Sequence, residues 1–291
     1  MTPWDELAPL RERHRAWIDA AGTPVTNWLV EALAVEAMET VLELAAGAGG
    51  VGFAILERAD RGVRLISSDV SAATLDVARG AAAERGLTGV EFRAIDAQAI
   101  DLASASVDSV VCRWGYMLMD DPLGALRETH RVLRAGGRVA LSVWSAAARN
   151  PWTTIDAQVC ERLGYEARAA PTDPGQMFSM ADPERLRATV TQSGLVVRRL
   201  EKVGVTWPYD SADDYVAIEI DRPGPRGEFF RGLPPIESGR AISIAAELLE
   251  PFRTDDGYVV PGETLNVLAS RNDRASPEQD AELADRLGSE Q

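Results

Sequence analysis

With 291 residues, 46% of them apolar, the chain can bury the core of one sizeable domain with additions, or of two small ones. A formal net charge of −15 argues against a nucleic-acid-binding surface or an anionic membrane as the main partner. Two cysteines, Cys112 and Cys160, are too few for a disulfide framework or a thiolate metal site, and no stretch approaches the ~18 continuous apolar residues of a membrane span, so a soluble cytoplasmic protein is expected.

In chain order, residues 3–40 read as helical, with apolar positions at Leu7, Leu10, Trp17 and Ile18 and again at Trp28, Leu29, Leu33 and Val35. "AGTP", Ala21 to Pro24, is expected to break that run in two. From Val41 short β-branched runs alternate with helical stretches: "VLELA", "VRLISSD" (Val63–Asp69), "VEFRA" (Val90–Ala94), "VDSVVCRW" (Val107–Trp114) and "GRVALSVW" (Gly137–Trp144). Near-continuous apolar strands separated by helices predict a parallel sheet covered on both faces. Ser71 is placed to cap the helix through "AATLDVARGAAAER", and Gly86 stands where a left-handed C-terminal residue is expected. Pro122 opens a helix expected to stop at Gly136-Gly137.

Beyond Trp144, "TTIDAQVCERLG" reads as a helix and "EARAAPTDPGQMFSM" as a long irregular link. A further helix starts at Asp182 as cap, with Pro183 in its first turn. "LVVRRLEKVGVTW" reads as a sixth strand and "ETLNVLASR" (Glu263–Arg271) as a seventh, with "SADDYVAIEI" and "GRAISIAAELLEPF" as helices between them. The last twenty residues are polar and acidic and are expected to stay unordered.

The stretch "VLELAAGAGGVGFAIL" (Val41–Leu56) contains Gly47-Ala48-Gly49-Gly50-Val51-Gly52, a G-x-G-x-x-G match between a strand and a helix. Backbone N–H groups of such a turn can face a ligand at the helix N-terminus. Glu43 precedes the turn, and Asp69 ends the second strand, twenty residues after Gly49, the spacing expected of a carboxylate that grips ribose hydroxyls. Asp96-Ala97 follows the third strand, again at the carboxyl edge of the sheet, where an aspartate can accept from an adenine amino group.

These segments together, from about Val41 to Trp144, resemble the class I S-adenosylmethionine-dependent methyltransferases, particularly the group related to ubiquinone/menaquinone-biosynthesis methyltransferases. "VLELAAGAGG" is similar to their first motif, "SSDVS" to the acidic end of strand two, and "IDAQAIDLASASVDSVVCRWGYMLMDDP" to their third- and fourth-strand segments. "ALRETHRVLRAGGRVALSVW" is similar to the helix and fifth strand that follow, and the resemblance covers about a third of the chain. It implies an α/β fold: a Rossmann-like, seven-stranded, mostly parallel sheet whose antiparallel last strand lies between strands five and six, plus a helical cap. The implied division is a lid over 1–40, a cofactor-binding core over 41–145, completion of the sheet with cap insertions over 146–271, and the acidic tail over 272–291.

The implied cofactor is S-adenosyl-L-methionine. Gly47 and Gly49 would lie under its methionine part with Glu43 near the amino group, Asp69 would hold the ribose, Val70 would pack on adenine, and Asp96 with Ala97 would read the adenine edge. Arg113 and Trp114 would line the methionine side and the methyl-donor site. Ala45 departs from the pattern by standing where many members have the first glycine of the turn.

Aromatic residues gather in segments expected to face an acceptor; Trp17, Tyr116, Trp152 and Phe178 are the candidate substrate contacts, and they favour a small apolar or aromatic molecule. No catalytic side chain is assigned, although His14 is a candidate base if carbon or phenolic oxygen is methylated. A nicotinamide-dependent oxidoreductase on a Rossmann sheet is the alternative enzyme. Its short-chain form is disfavoured because the single lysine, Lys202, has Arg198 rather than tyrosine four residues before it. A non-catalytic protein that binds the cofactor is the second alternative. The histidines and cysteines show no metal-ligand spacing.

Overall fold

The computed structural model describes residues 3–59, 62–165, 175–222 and 224–272. The strands are β1 (Thr40–Glu43), β2 (Arg64–Asp69), β3 (Val90–Ala94), β4 (Val107–Arg113), β5 (Leu133–Trp144), β6 (Leu195–Tyr209), β7 (Arg253–Thr254) and β8 (Gly257–Arg271). The main path through the sheet is β3-β2-β1-β4-β5-β8-β6, with the two-residue β7 paired to β8. β1 to β5 pair in parallel, whereas β8 runs antiparallel to both β5 and β6. This is the mixed α/β arrangement expected, with the antiparallel strand inserted where the resemblance implies. Val41, Leu42, Val110 and Val111 are completely buried, as a sheet covered on both faces requires.

The helices are α1 (Ala8–Arg13), α2 (Arg15–Leu33), α3 (Gly50–Arg58), α4 (Ala72–Glu84), α5 (Pro122–Val132), α6 (Ile155–Arg162), α7 (Pro183–Gln192), α8 (Ala212–Asp221), α9 (Gly224–Gly232) and α10 (Pro235–Leu249). Local punctuation acts as its chemistry dictates. Ser71, Asp121, Asp182 and Ser211 accept from the backbone N–H three residues on, and Gly86 is left-handed. Among the described residues no helix is long and apolar enough to cross a membrane.

Four readings of the sequence change. "AGTP" does not break the N-terminal run: α2 passes through Pro24. The proline costs one ladder bond, but Val25, Leu29 and Leu33 are fully buried, and this packing outweighs local propensity. The break falls instead at His14, between α1 and α2. α5 ends at Val132 rather than at the glycine pair, because Leu133 already pairs with Val107 and is fully buried. β8 begins at Gly257, six residues earlier than expected, since it follows β6 as far as the Tyr209–Tyr258 pair. α9 was not foreseen; its "GPRGEFFRG" holds three glycines and a proline, a composition that local propensity assigns to a loop. The expected unordered tail lies, apart from Asn272, outside the described residues.

The C-terminal end of α2 is fixed to the sheet by one side chain. Ala34 is left-handed, and the Arg138 guanidinium on β5 donates to the carbonyls of Leu33 (2.8 Å) and Ala34 (3.3 Å). The same group forms a two-pronged pair with Glu39 at 2.7 and 2.9 Å. Because the helix-end carbonyls lose this donor and Glu39 keeps only the Ser109 hydroxyl, at 3.0 Å, Arg138→Ala is expected to cost about 2 kcal/mol. By contrast Arg79→Ala, which removes the exposed pair with Asp76 and a surface contact of the guanidinium with the Phe92 ring, should change stability by less than about 1 kcal/mol. Urea unfolding of both variants checks this contrast.

Candidate functional site

The strand order reverses between β1 and β4, and at the carboxyl ends of these strands lies a cavity of about 640 Å³. Its floor is the small-residue turn from Ala45 to Gly50. Gly49 caps α3 with φ of +85°, a conformation that L-residues adopt at a cost, and a Cβ there would strike the Phe53 ring. At Gly52 a Cβ would run into the Glu43 carboxylate. Its absence lets Gly52 N–H donate to Glu43 Oε1 at 2.8 Å, while Ser67 Oγ donates to Oε2 at 3.2 Å. Burial pushes the Glu43 carboxyl up to about 7, against the Gly52 N–H and the Arg113 charge, which favour the ionised form.

Asp69, at the end of β2, joins two elements. Its Oδ2 accepts from Gly47 N–H and its Oδ1 from Ser71 N–H, each at 3.0 Å, and Arg11 Nη1 stands 3.6 Å away. A carboxylate offers about four lone-pair sites, so capacity for further hydroxyl donors remains on the cavity side. Beside it Val70 is 41% exposed, unusual for an aliphatic side chain in this position, and it lines the cavity. Asp96 is exposed on the same rim, its Oδ1 accepting from Gln98 N–H at 2.9 Å, and Ala97 follows it.

The opposite wall is the end of β4. Arg113 donates to Thr26 Oγ1 at 2.8 Å and approaches Asp19 Oδ1 at 3.5 Å, so α2 holds the guanidinium over the turn. Trp114 is left-handed, with φ of +60°, which costs an indole-bearing residue about 1–2 kcal/mol. The conformation is over-determined by Trp114 N–H to Ser142 O (2.8 Å), by stacking on Trp144 (4.5 Å) and by the Arg113 guanidinium 4.9 Å from its ring.

Glu43, Gly47, Asp69, Val70, Asp96, Ala97, Arg113 and Trp114 all line this one cavity. Gly49 does not; it shapes the turn from outside the lining. Sequence reasoning missed Trp4, Arg11, Ile18 and Asp19, brought in by the N-terminal helices, and Leu118, Met119 and Gln176 on the facing loops. Arg11 reaches Asp69 across 58 positions of chain, a juxtaposition for which no local spacing gives a signal.

A second, smaller cavity of about 150 Å³ adjoins the first, and Ile18 and Trp114 line both. Trp17 and Trp152 form part of its wall, together with Trp144 and Trp207. Tyr116 and Phe178, expected at the acceptor, line neither of the two cavities. The turn after β4 buries Tyr116 completely and sends its hydroxyl to Thr129 on α5, and Phe178 is 4% exposed within the core.

The shifted Glu43 carboxyl makes stability depend on pH in a defined sense. From its ordinary value of 4.5 up to about 7 the unfolded chain has released this proton and the folded chain keeps it, so stability falls as pH rises through that window. In ligand-free protein Glu43→Gln is expected to remove about 2–3 kcal/mol of that fall, read by urea unfolding across the window.

Comparison with known proteins bears on the same segment. Residues 42–141 match the family model for a methyltransferase domain. A ubiquinone/menaquinone biosynthesis C-methyltransferase of Xanthomonas oryzae is 30% identical over 133 residues, 45% of this chain and 49% of that protein. The chain thus spans about half the length of the curated relatives it matches. By structure it is similar to a chain from the complex between the Haloferax volcanii Trm112 methyltransferase activator and its candidate methyltransferase (TM-score 0.58, 18% identity, 94% of this chain and 100% of that one). It is also similar to the [4+2]-cyclase SpnF (TM-score 0.56, 17% identity, 92% and 93% covered); at such identities these likenesses describe the fold alone. The matched motifs, the strand order and the relatives agree on the same segment: residues 42–141 match a methyltransferase domain, and the sheet around them is similar to that of solved methyltransferases.

Proposed function

We propose that the larger cavity binds S-adenosyl-L-methionine and that the protein transfers a methyl group to a small apolar or aromatic molecule, at carbon or oxygen. The observation that carries this reading is the alignment of Glu43, Asp69 and Asp96 with the glycine turn along one rim of one cavity. A cavity of about 640 Å³ is within the range of small-molecule sites, roughly 300–1,000 Å³.

In this reading Asp69 accepts from the ribose hydroxyls, with Gly47 and Ser71 N–H groups holding its carboxylate in place. Val70 offers its exposed face to adenine, and Asp96 with the Ala97 backbone reads the purine edge. Arg113 provides a cation for the amino-acid carboxylate, and Asp19 and Glu43 provide carboxylates near the amino group. When bound, the cofactor supplies a methyl group already activated on a sulfonium. The chain's task is then alignment of the acceptor and exclusion of water, for which positioning can contribute ~7–11 kcal/mol. The helices of residues 1–40 form the lid in this scheme, since Trp4, Arg11 and Ile18 close one side of the cavity.

The quinone-pathway relatives support a small-molecule acceptor and methylation at carbon. The acidic surface supports an acceptor other than nucleic acid, and a cytoplasmic location is part of the proposal. The cyclase among the structural neighbours is the reason to keep a non-transferring, cofactor-binding role as the second reading. Incubating metabolite extracts with the protein and methyl-labelled cofactor, followed by mass spectrometry, tests transfer itself; absence of any labelled product across extracts would favour the second reading. S-adenosylhomocysteine should raise the melting temperature and NAD should leave it unchanged; the reverse would establish the oxidoreductase alternative. Asp69→Ala is expected to weaken S-adenosylhomocysteine binding by about 10–100-fold by calorimetry, the loss of one or two charge-assisted hydrogen bonds.

A further inference from the structure

The smaller cavity has a composition that the proposed cofactor site does not use. Five tryptophans meet around it: Trp17 lies 4.6 Å from Trp207, Trp114 4.5 Å from Trp144, Trp144 5.0 Å from Trp152 and Trp152 5.2 Å from Trp207. They come from α2, the residue after β4, β5, the turn at Pro151–Thr153 and β6, so the tertiary fold and not one motif assembles the box. Among the described residues, the buried indole nitrogens of Trp114 and Trp207 have no hydrogen-bond partner. A buried N–H without an acceptor is costly, so ring packing must offset that cost at these two indoles.

Volume and shape define the occupant. An apolar cavity of about 150 Å³ holds one benzene-sized ring, and flat aromatic walls favour an aromatic guest through stacked and edge-to-face contacts. The polar side of the same cavity is His14, whose Nε2 lies 2.8 Å from Asp221 Oδ2, and Arg222, which pairs with Glu219 at 2.9 Å. Arg13 also pairs with Asp221. With Nε2 held by a carboxylate, Nδ1 is the ring atom left to accept a proton.

We propose that the tryptophan-walled cavity receives a single hydroxylated aromatic ring and that His14, oriented by Asp221, takes the proton from its hydroxyl. The proposal rests on the methyltransferase reading above and specifies its acceptor. The ring O–H bond breaks with its proton passing to His14 Nδ1. The oxygen lone pair forms the bond to the methyl carbon of the sulfonium donor, and the carbon–sulfur bond breaks with its electron pair returning to sulfur. Trp114 and Ile18, shared by the two cavities, keep the ring within one side chain of the donor site.

4-Nitrophenol tests this without turnover, because it is a single-ring phenol that turns yellow on losing its proton. At a pH just below its own pKa, the bound probe should be yellow in the parent protein and colourless, though still bound, in His14→Asn. Ile218→Trp, which fills the cavity from α8, should weaken probe binding by at least about tenfold while S-adenosylhomocysteine affinity stays within about twofold. With an identified phenolic acceptor, His14→Asn should lower kcat by about 10²–10⁴ with KM little changed. Failure of the probe to bind, undiminished binding in Ile218→Trp, or the same colour in His14→Asn would overturn the proposal. If S-adenosylhomocysteine binds neither parent nor variants, the methyltransferase reading falls, whereas the probe results still judge the ring site by themselves.

Discussion

The glycine turn between β1 and α3 keeps its shape because two buried carboxylates accept its backbone N–H groups. Glu43 holds Gly52 from inside the sheet, and Asp69 holds Gly47 from the end of β2. Each is expensive to bury without a partner, and each takes one donor from the small-residue turn and the start of α3 and one from a serine, Ser67 or Ser71. The turn and the carboxylates therefore specify one another: a Cβ at Gly52 would displace Glu43, and loss of Asp69 would release both the turn and the first residue of α4's cap. The edge where β1 and β4 part is thereby given a rigid, polar floor before any ligand arrives, which is the condition for precise positioning.

Much of this floor is legible locally. The glycines, Asp69 and Asp96 sit at the ends of strands whose apolar runs announce a parallel sheet, and strand ends are where such sheets bind ligands. Caps at Ser71 and Asp182 are equally local, since each depends on one hydroxyl or carboxylate and a backbone N–H three residues away. What escaped the sequence depends on distant packing. Pro24 and the glycines of α9 look like breakers, yet burial or packing among helices overrides the local cost. Tyr116 and Phe178 are aromatic residues in the right segments, but whether such a ring faces a cavity or the core is decided by neighbours such as Thr129 that lie on other elements. Trp17 and Trp152 show the other outcome of the same ambiguity. Arg11 and Asp19 were invisible for the same reason: a charged residue on an amphipathic helix reads as solvated until the helix is seen to lie over the sheet edge.

The distribution of polar groups divides the site into two chemically different halves. The larger cavity has carboxylates along one rim, with the Arg11 guanidinium beside Asp69, and the Arg113 guanidinium opposite, a pattern that suits the proposed ligand with its hydroxyls, purine and zwitterionic end. The smaller has indole walls and a single imidazole–carboxylate pair. Trp114 belongs to both, and its left-handed backbone is the strained joint between them. The antiparallel β8 between β5 and β6 sets this sheet apart from the parallel dinucleotide-binding sheet that a glycine fingerprint alone would suggest.

The central claim is that the paired carboxylates and glycine turn are a seat for an adenosyl sulfonium compound, and a crystal structure of the protein grown with S-adenosylhomocysteine tests it most directly. The account predicts ribose density within hydrogen-bond reach of Asp69, adenine against Val70 beside Asp96, and sulfur directed toward Trp114. Density for the ligand elsewhere, or in this cavity with its ribose away from Asp69, would contradict it.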